Sequence, residues 1–73
     1  MNDNIFFSII CPTYNSAKFI ERNINSLISQ NYKNFEVIYS DDGSTDETTD
    51  IILNNKKKFS DKKIQFSLLK NNH

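Results

Sequence analysis

Asp41 and Asp42 stand side by side at the end of the run Phe35-Glu36-Val37-Ile38-Tyr39-Ser40. That run is rich in aromatic and β-branched residues and reads as a buried strand. Its two terminal acids can do chemistry. A carboxylate at a strand end can accept hydrogen bonds from a ring N–H or a ribose hydroxyl, and it can help hold a cation. Asp is equally a common turn former and helix-cap acid. Spacing alone leaves both readings open and leans slightly towards the turn. Within a strand, adjacent residues point to opposite faces. Past the strand end, a turn can bring either acid to the rim. Pro12-Thr13-Tyr14-Asn15 closes the earlier apolar run Ile5–Cys11 at the same rim. There Tyr14 can present a flat apolar face to a base, and Thr13 a hydroxyl or a backbone contact. The plainer reading is a strand-to-helix turn with a capping Asn.

The surrounding chain must position these two segments. Ile5 to Cys11 is almost unbroken in its apolar character, the mark of a strand covered on both faces. Pro12 stops it. Asn15 or Ser16 can cap a helix in which Ala17, Ile20, Ile24, Leu27 and Ile28 form one apolar stripe. Asn31 to Asn34 is a polar connection to the second strand. Gly43, the single glycine, sits where a sharp turn is needed. Ser44 and Glu47 have capping-box spacing, so a second helix is predicted from about Thr45 to about Phe59. Asp46, Glu47 and Asp50 near its start and Lys56-Lys57-Lys58 near its end would complement its dipole. After the turn Ser60–Lys63, Ile64, Phe66 and Leu68 alternate with polar residues, as in a half-buried or edge strand.

The predicted order is strand, helix, strand, helix, strand: an α/β unit with a parallel sheet and right-handed crossovers. If each strand adds beside the last, the sheet order is 3-2-1 and both helices share one face. The other face and the first strand's free edge would be bare. That suits the first portion of a larger α/β domain better than a whole one.

The chain has 73 residues and a formal net charge of zero. So short a chain makes at most one small domain and buries only about 60% of its unfolded surface. One cysteine excludes an internal disulfide, and no spacing fits a zinc site. Cys11 reads as a small buried hydrophobe. His73 reads as tail. Neutral charge argues against nucleic acid as a partner, and the lysine triplet, with no aromatics interleaved, reads as a solvated helix end. No apolar run approaches the ~18 residues of a membrane span. Met1-Asn2-Asp3-Asn4 lacks the basic start of a signal peptide, so the expected location is cytoplasmic. A single glycine excludes the dinucleotide fingerprint, the P-loop and the nucleophile elbow. A receiver-like acidic pocket is disfavoured, because the first strand ends in Pro12-Thr13 with no acid.

Four segments in order closely resemble the N-terminus of family-2 nucleotide-sugar glycosyltransferases. They are Ser8–Asn15, Ile24–Gln30, Tyr32–Ile38 and Asp41–Thr48. The resemblance covers nearly the whole chain, from about Phe6 to Lys70. The resemblance implies the A-type glycosyltransferase fold, a Rossmann-like three-layer sandwich of which residues 1–73 would be the first β-α-β-α-β portion. It implies inverting transfer of a sugar from a nucleotide donor, commonly a UDP-sugar, to an acceptor hydroxyl, in the setting of polysaccharide biosynthesis. Carried over by position, Pro12, Thr13 and Tyr14 would line the nucleoside pocket. Asp42 would hydrogen-bond the base, and Asp41 would support that turn. Ser44 and Asp46 would be structural.

The resemblance also implies what this chain lacks. The family's DxD motif, which holds a divalent cation (Mg or Mn), follows a fourth strand, and Asp41-Asp42 is not that motif. The base that deprotonates the acceptor lies further on, as does the site for a saccharide or lipid-linked acceptor. Such transfer needs both a base and a cation on the leaving diphosphate. No catalytic and no metal-binding residue is therefore expected here, and the chain alone should be inactive while binding UDP weakly. The complete enzyme could lie against the cytoplasmic membrane face. The alternative is a non-catalytic nucleotide-binding remnant, or a docking module that self-associates through the uncovered sheet.

Overall fold

The computed structural model describes residues 5–71. The expectations for residues 1–4 and for His73 lie outside the described residues. The elements are strand β1 (Phe7–Thr13), helix α1 (Ala17–Ile28), strand β2 (Phe35–Asp41), helix α2 (Thr48–Asn54), helix α3 (Lys56–Asp61) and strand β3 (Gln65–Lys70). The strands form one parallel sheet with β2 in the centre, the order expected when successive right-handed crossovers each add a strand beside the last.

β2 sorts its side chains by the period of two. Phe35, Val37, Tyr39 and Asp41 are buried, whereas Glu36, Ile38 and Ser40 are half-buried. The buried apolar set packs with Ile20 and Ile24 of α1, Ile52 of α2, Phe59 of α3 and Ile64. All three helices therefore cover one face. Tyr39 is fully buried at the centre of that layer. Its ring meets Phe59 and Phe66 edge-on, and its hydroxyl donates to Asn23 Oδ1 at 2.7 Å. On the opposite face, Ile10 is 64% exposed and Leu69 53%. The sheet is covered on one side only, as its connectivity predicts.

The apolar stripe of α1 packs as read: Ile20 and Ile24 are buried, and Leu27 and Ile28 are half-buried against the core. Its C-terminal end is closed by Lys33, whose Nζ donates to the Ile28 carbonyl at 2.6 Å, a favourable place for a cation. Its N-terminal end departs from expectation. Ser16 holds the cap position without a side-chain capping bond, and Asn15 does not cap α1 either. The Ala17 N–H instead donates to Asp46 Oδ2, from the other loop, at 3.2 Å.

The second helix also departs from its predicted form. It begins at Thr48 and not near Thr45, because Ser44 is engaged with Asp41; Glu47 holds the cap position, and the Asp46 carboxylate before it accepts from the first turn. The Thr48 N–H donates to Asp46 Oδ1 at 2.9 Å. It then breaks at Asn55 into two helices. The Asn55 side-chain amide donates to the Ile51 carbonyl at 2.7 Å, and the Asn55 N–H goes to Ile52 at 3.1 Å. The side chain competes for the acceptor that a continuous α-helix would use, and the backbone tightens by one residue. The lysine triplet consequently opens α3 and does not close a long helix, so the predicted dipole complement fails for Lys56 and Lys57. Lys57 pairs with Asp61 at 3.0 Å in solvent. Cys11 is half-buried, not fully buried, because β1 is an edge strand here.

Tyr39→Phe tests the core. Loss of the hydroxyl should cost about 1 kcal/mol in urea denaturation, with the fold and m-value unchanged.

Candidate functional site

Both candidate segments lie at the carboxyl end of the sheet, where open α/β sheets place their ligands. Strand β2 runs one residue further than the sequence suggests and includes Asp41. Register pairs Asp41 with Thr13, the last residue of β1. Strand alternation then turns Asp41 inward with Phe35, Val37 and Tyr39, and it is 2% exposed. Asp42, one residue on, is exposed. The two acids diverge, so they cannot chelate one ion together. Among the described residues no group of three His, Cys, Asp or Glu side chains could hold a metal.

Asp41 is the centre of a hydrogen-bond network. Its Oδ1 accepts from Thr13 Oγ1 at 2.7 Å and from Ser44 Oγ at 2.6 Å. Its Oδ2 accepts from the Ser44 N–H at 2.9 Å. Burial pushes the carboxyl pKa up. The hydroxyls of Ser44 and Thr13 and the N–H groups of Ser44 and Gly43 outweigh that and hold it below the usual value. Gly43 takes φ of 81°, the left-handed turn its position calls for.

Around this centre the two rim loops hold each other. The N–H of Asn15 donates to Ser44 Oγ at 2.8 Å, and that of Ser16 to Thr48 Oγ1 at 2.8 Å. In return Asn15 Oδ1 accepts from the Thr45 N–H at 2.8 Å. The Asp42 N–H donates to the Thr13 carbonyl at 2.9 Å. Asp46, which serves both α1 and α2, has its carboxyl pKa lowered, first by the Thr48 hydroxyl and then by backbone N–H groups.

The five sequence candidates thus divide. Pro12, Tyr14 and Asp42 are exposed at the rim, with Tyr14 61% exposed. Thr13 and Asp41 are buried and bound to each other. The Thr13 hydroxyl read as a ligand contact is committed to Asp41. A cleft of about 160 Å³ adjoins Pro12 and Thr13 and is lined by Cys11, Ser16, Phe19, Ile20 and Asn23. It runs between β1 and α1 and includes neither Tyr14 nor the acids. Burial raises the thiol pKa of Cys11. A second cleft, beside Phe59 and Phe66, lies away from the rim. Asn15, expected to cap α1, and Thr48 instead bond across to the other loop, roles that local spacing does not predict. The one usable signal was Asn15 itself, since Asn tolerates left-handed turns.

Residues 8–73 match the sequence profile of glycosyl transferase family 2. The chain belongs to this family. It is 46% identical over 56 residues to an uncharacterised glycosyltransferase of Rickettsia prowazekii, covering 73% of this chain and 18% of that one. It is 38% identical over 64 residues to the GalNAc(5)-diNAcBac-PP-undecaprenol beta-1,3-glucosyltransferase of Campylobacter jejuni, covering 88% of this chain and 20% of that protein. The structure of S. aureus TarS 1-349 in complex with UDP-GlcNAc superposes with a TM-score of 0.77 at 37% identity, over 90% of this chain and 18% of that one. A mannosyltransferase from Pyrobaculum calidifontis, in complex with GDP-Man and Mn2+, superposes with a TM-score of 0.81 at 26% identity, over 96% of this chain and 21% of that one. The architecture is that of the A-type glycosyltransferase fold. The family-2 chain spans a fifth or less of the length of these curated relatives. No helix among its described residues is long and apolar enough to cross a membrane.

Asp41→Ala should cost about 2–3 kcal/mol in denaturant titration, because it strips the acceptor from two hydroxyls and an N–H. The depressed folded pKa gives the pH sign. Asp41 contributes fully above its unfolded pKa of about 3.9, and the contribution is lost as pH falls through the lower folded value. Asp41→Asn should therefore flatten the acid limb of a stability–pH curve below about pH 4 relative to wild type.

Proposed function

We propose that this chain supplies the nucleoside-binding part of a family-2 glycosyltransferase, an enzyme that moves a sugar with inversion from a nucleotide donor to an acceptor hydroxyl. The observation that carries the reading is the division of the rim. Thr13 and Asp41 are spent on holding two loops together, while Tyr14 and Asp42 are left exposed on those loops. Tyr14 offers an aromatic face for a base to stack on. Asp42 offers a carboxylate to accept from a ring N–H of the base, and Pro12 lines the approach. Asp41 and Thr13 are supporting groups in this reading.

The donor we favour is a UDP-sugar. The similarity to TarS, whose structure was determined with UDP and with UDP-GlcNAc, supports it. The Pyrobaculum enzyme, with GDP-Man, makes a guanine donor the outcome to test against. A divalent cation, Mg or Mn, belongs to the reading of the whole protein. The divergent Asp41–Asp42 pair does not fit one. Transfer itself, and a saccharide or lipid-linked acceptor, are likewise proposed for the whole protein and not for these residues.

Titration of the full chain with UDP and with GDP, followed by calorimetry, tests the reading. UDP should bind weakly and in preference to GDP. Asp42→Ala and Tyr14→Ala should each weaken UDP by about tenfold without changing the melting temperature. Equal affinity of wild type and both variants would remove the nucleobase role.

A further inference from the structure

The base site proposed above is divided between two loops, and the structure indicates what sets their separation. The sheet ladder ends at the Thr13–Asp41 pair. Beyond it, Tyr14 leaves on one loop and Asp42 on the other. Three successive backbone N–H groups, from Asn15 and Ser16 of the first loop and Ala17 at the start of α1, donate in turn to side chains of Ser44 in the second loop, Thr48 at the start of α2 and Asp46 in the second loop. The return is made by the side chain of Asn15. Its Oδ1 accepts from the Thr45 N–H at 2.8 Å, and at 3.4 Å from the Asp46 N–H and the Thr45 hydroxyl. The first of these is a full-strength bond, and the other two are long. Donors converging on one atom require the side-chain oxygen, not the amide nitrogen, to face the second loop.

The backbone at Asn15 is arranged for this contact. Its φ is 46°, in the left-handed region that few residues other than Gly, Asn and Asp adopt readily. That conformation lets the backbone N–H and the side-chain oxygen of one residue both engage the second loop, through Ser44 and Thr45. Asn15 immediately follows Tyr14, and its partners Ser44 to Asp46 follow Asp42 and Gly43. A shift at this contact moves the Tyr14 ring relative to the Asp42 carboxylate.

We propose that Asn15 is a positioning residue. Its side-chain oxygen latches the β2–α2 loop to the β1–α1 loop and so fixes the spacing of Tyr14 and Asp42 for a nucleoside diphosphate. This rests on the nucleotide reading above. It predicts that the acceptor oxygen matters apart from the backbone conformation. Asn15→Gly keeps the left-handed turn and deletes the oxygen. Asn15→Asp keeps both.

The test is UDP titration of the full chain by calorimetry, with amide hydrogen exchange of Thr45 read by NMR in the same samples. Asn15→Gly should lose Thr45 protection and weaken UDP about tenfold, with a melting temperature close to wild type. Asn15→Asp should restore Thr45 protection and bring UDP affinity to within about threefold of wild type at a salt concentration that screens the added charge. Wild-type UDP affinity in Asn15→Gly overturns the proposal. So does a fall in melting temperature that accounts for the lost binding in both variants alike, which is a purely structural role. Failure of the wild-type chain to bind UDP overturns the nucleotide reading instead. Thr45 exchange then judges the latch separately, and unchanged protection in Asn15→Gly rejects it.

Discussion

The buried carboxylate of Asp41 is the constraint on which the rim of this protein depends. It lies at the end of the central strand, on the face covered by the helices, where a charge is costly unless it is hydrogen-bonded. The Thr13 hydroxyl reaches it from one side, and the hydroxyl and N–H of Ser44 from the other. One side chain thereby ties the ends of two neighbouring strands to the turn that follows. The loops that leave those strands inherit that fixed origin. Asn15, Ser44, Asp46 and Thr48 then extend the same logic outward, with each loop supplying caps and acceptors that the other lacks.

This arrangement separates buried polar groups from exposed ones. The inward acid and Thr13 are saturated by each other and by Ser44. The outward acid and Tyr14 face solvent on loops whose positions are already determined. A nucleoside site at this rim, as proposed, would be preorganised, because little ordering would remain to be done when a planar ligand arrives. The helix-covered face supplies the rigidity beneath it. Tyr39, Phe59 and Phe66 form a compact aromatic group under β2 and β3, and Tyr39 is tied to α1 through Asn23. Among the described residues nothing covers the opposite face at Ile10 and Leu69, so the core lies on one side of the sheet.

Much of the fold was legible because it rests on period and order. The alternation of Phe35, Val37 and Tyr39, the stripe Ile20-Ile24-Leu27-Ile28 and the strand-helix succession lead to a parallel sheet with one-sided helices. The second helix was misread for a local reason. Ser44 and Glu47 have the spacing of a capping box, yet the Ser44 hydroxyl is drawn to a carboxylate three residues back, and the Asp46 carboxylate takes the first helical N–H. The break at Asn55 depends on one amide choosing a backbone acceptor, which a propensity argument does not decide.

The sequence by itself determined the family, the order of elements and the location of both candidate segments at one rim. The family comes from the resemblance of its motifs, and the order and location from residue type and spacing along the chain. Tertiary structure alone decided which acid turns inward, since that depends on whether β2 includes Asp41, and the pairing of Asp41 with Thr13 extends it that far. It alone revealed Asn15 as the bridge to Thr45, residues 30 positions apart. Hydrogen bonds between loops are not written in local pattern. They exist only once the parallel sheet has brought the ends of β1 and β2 side by side.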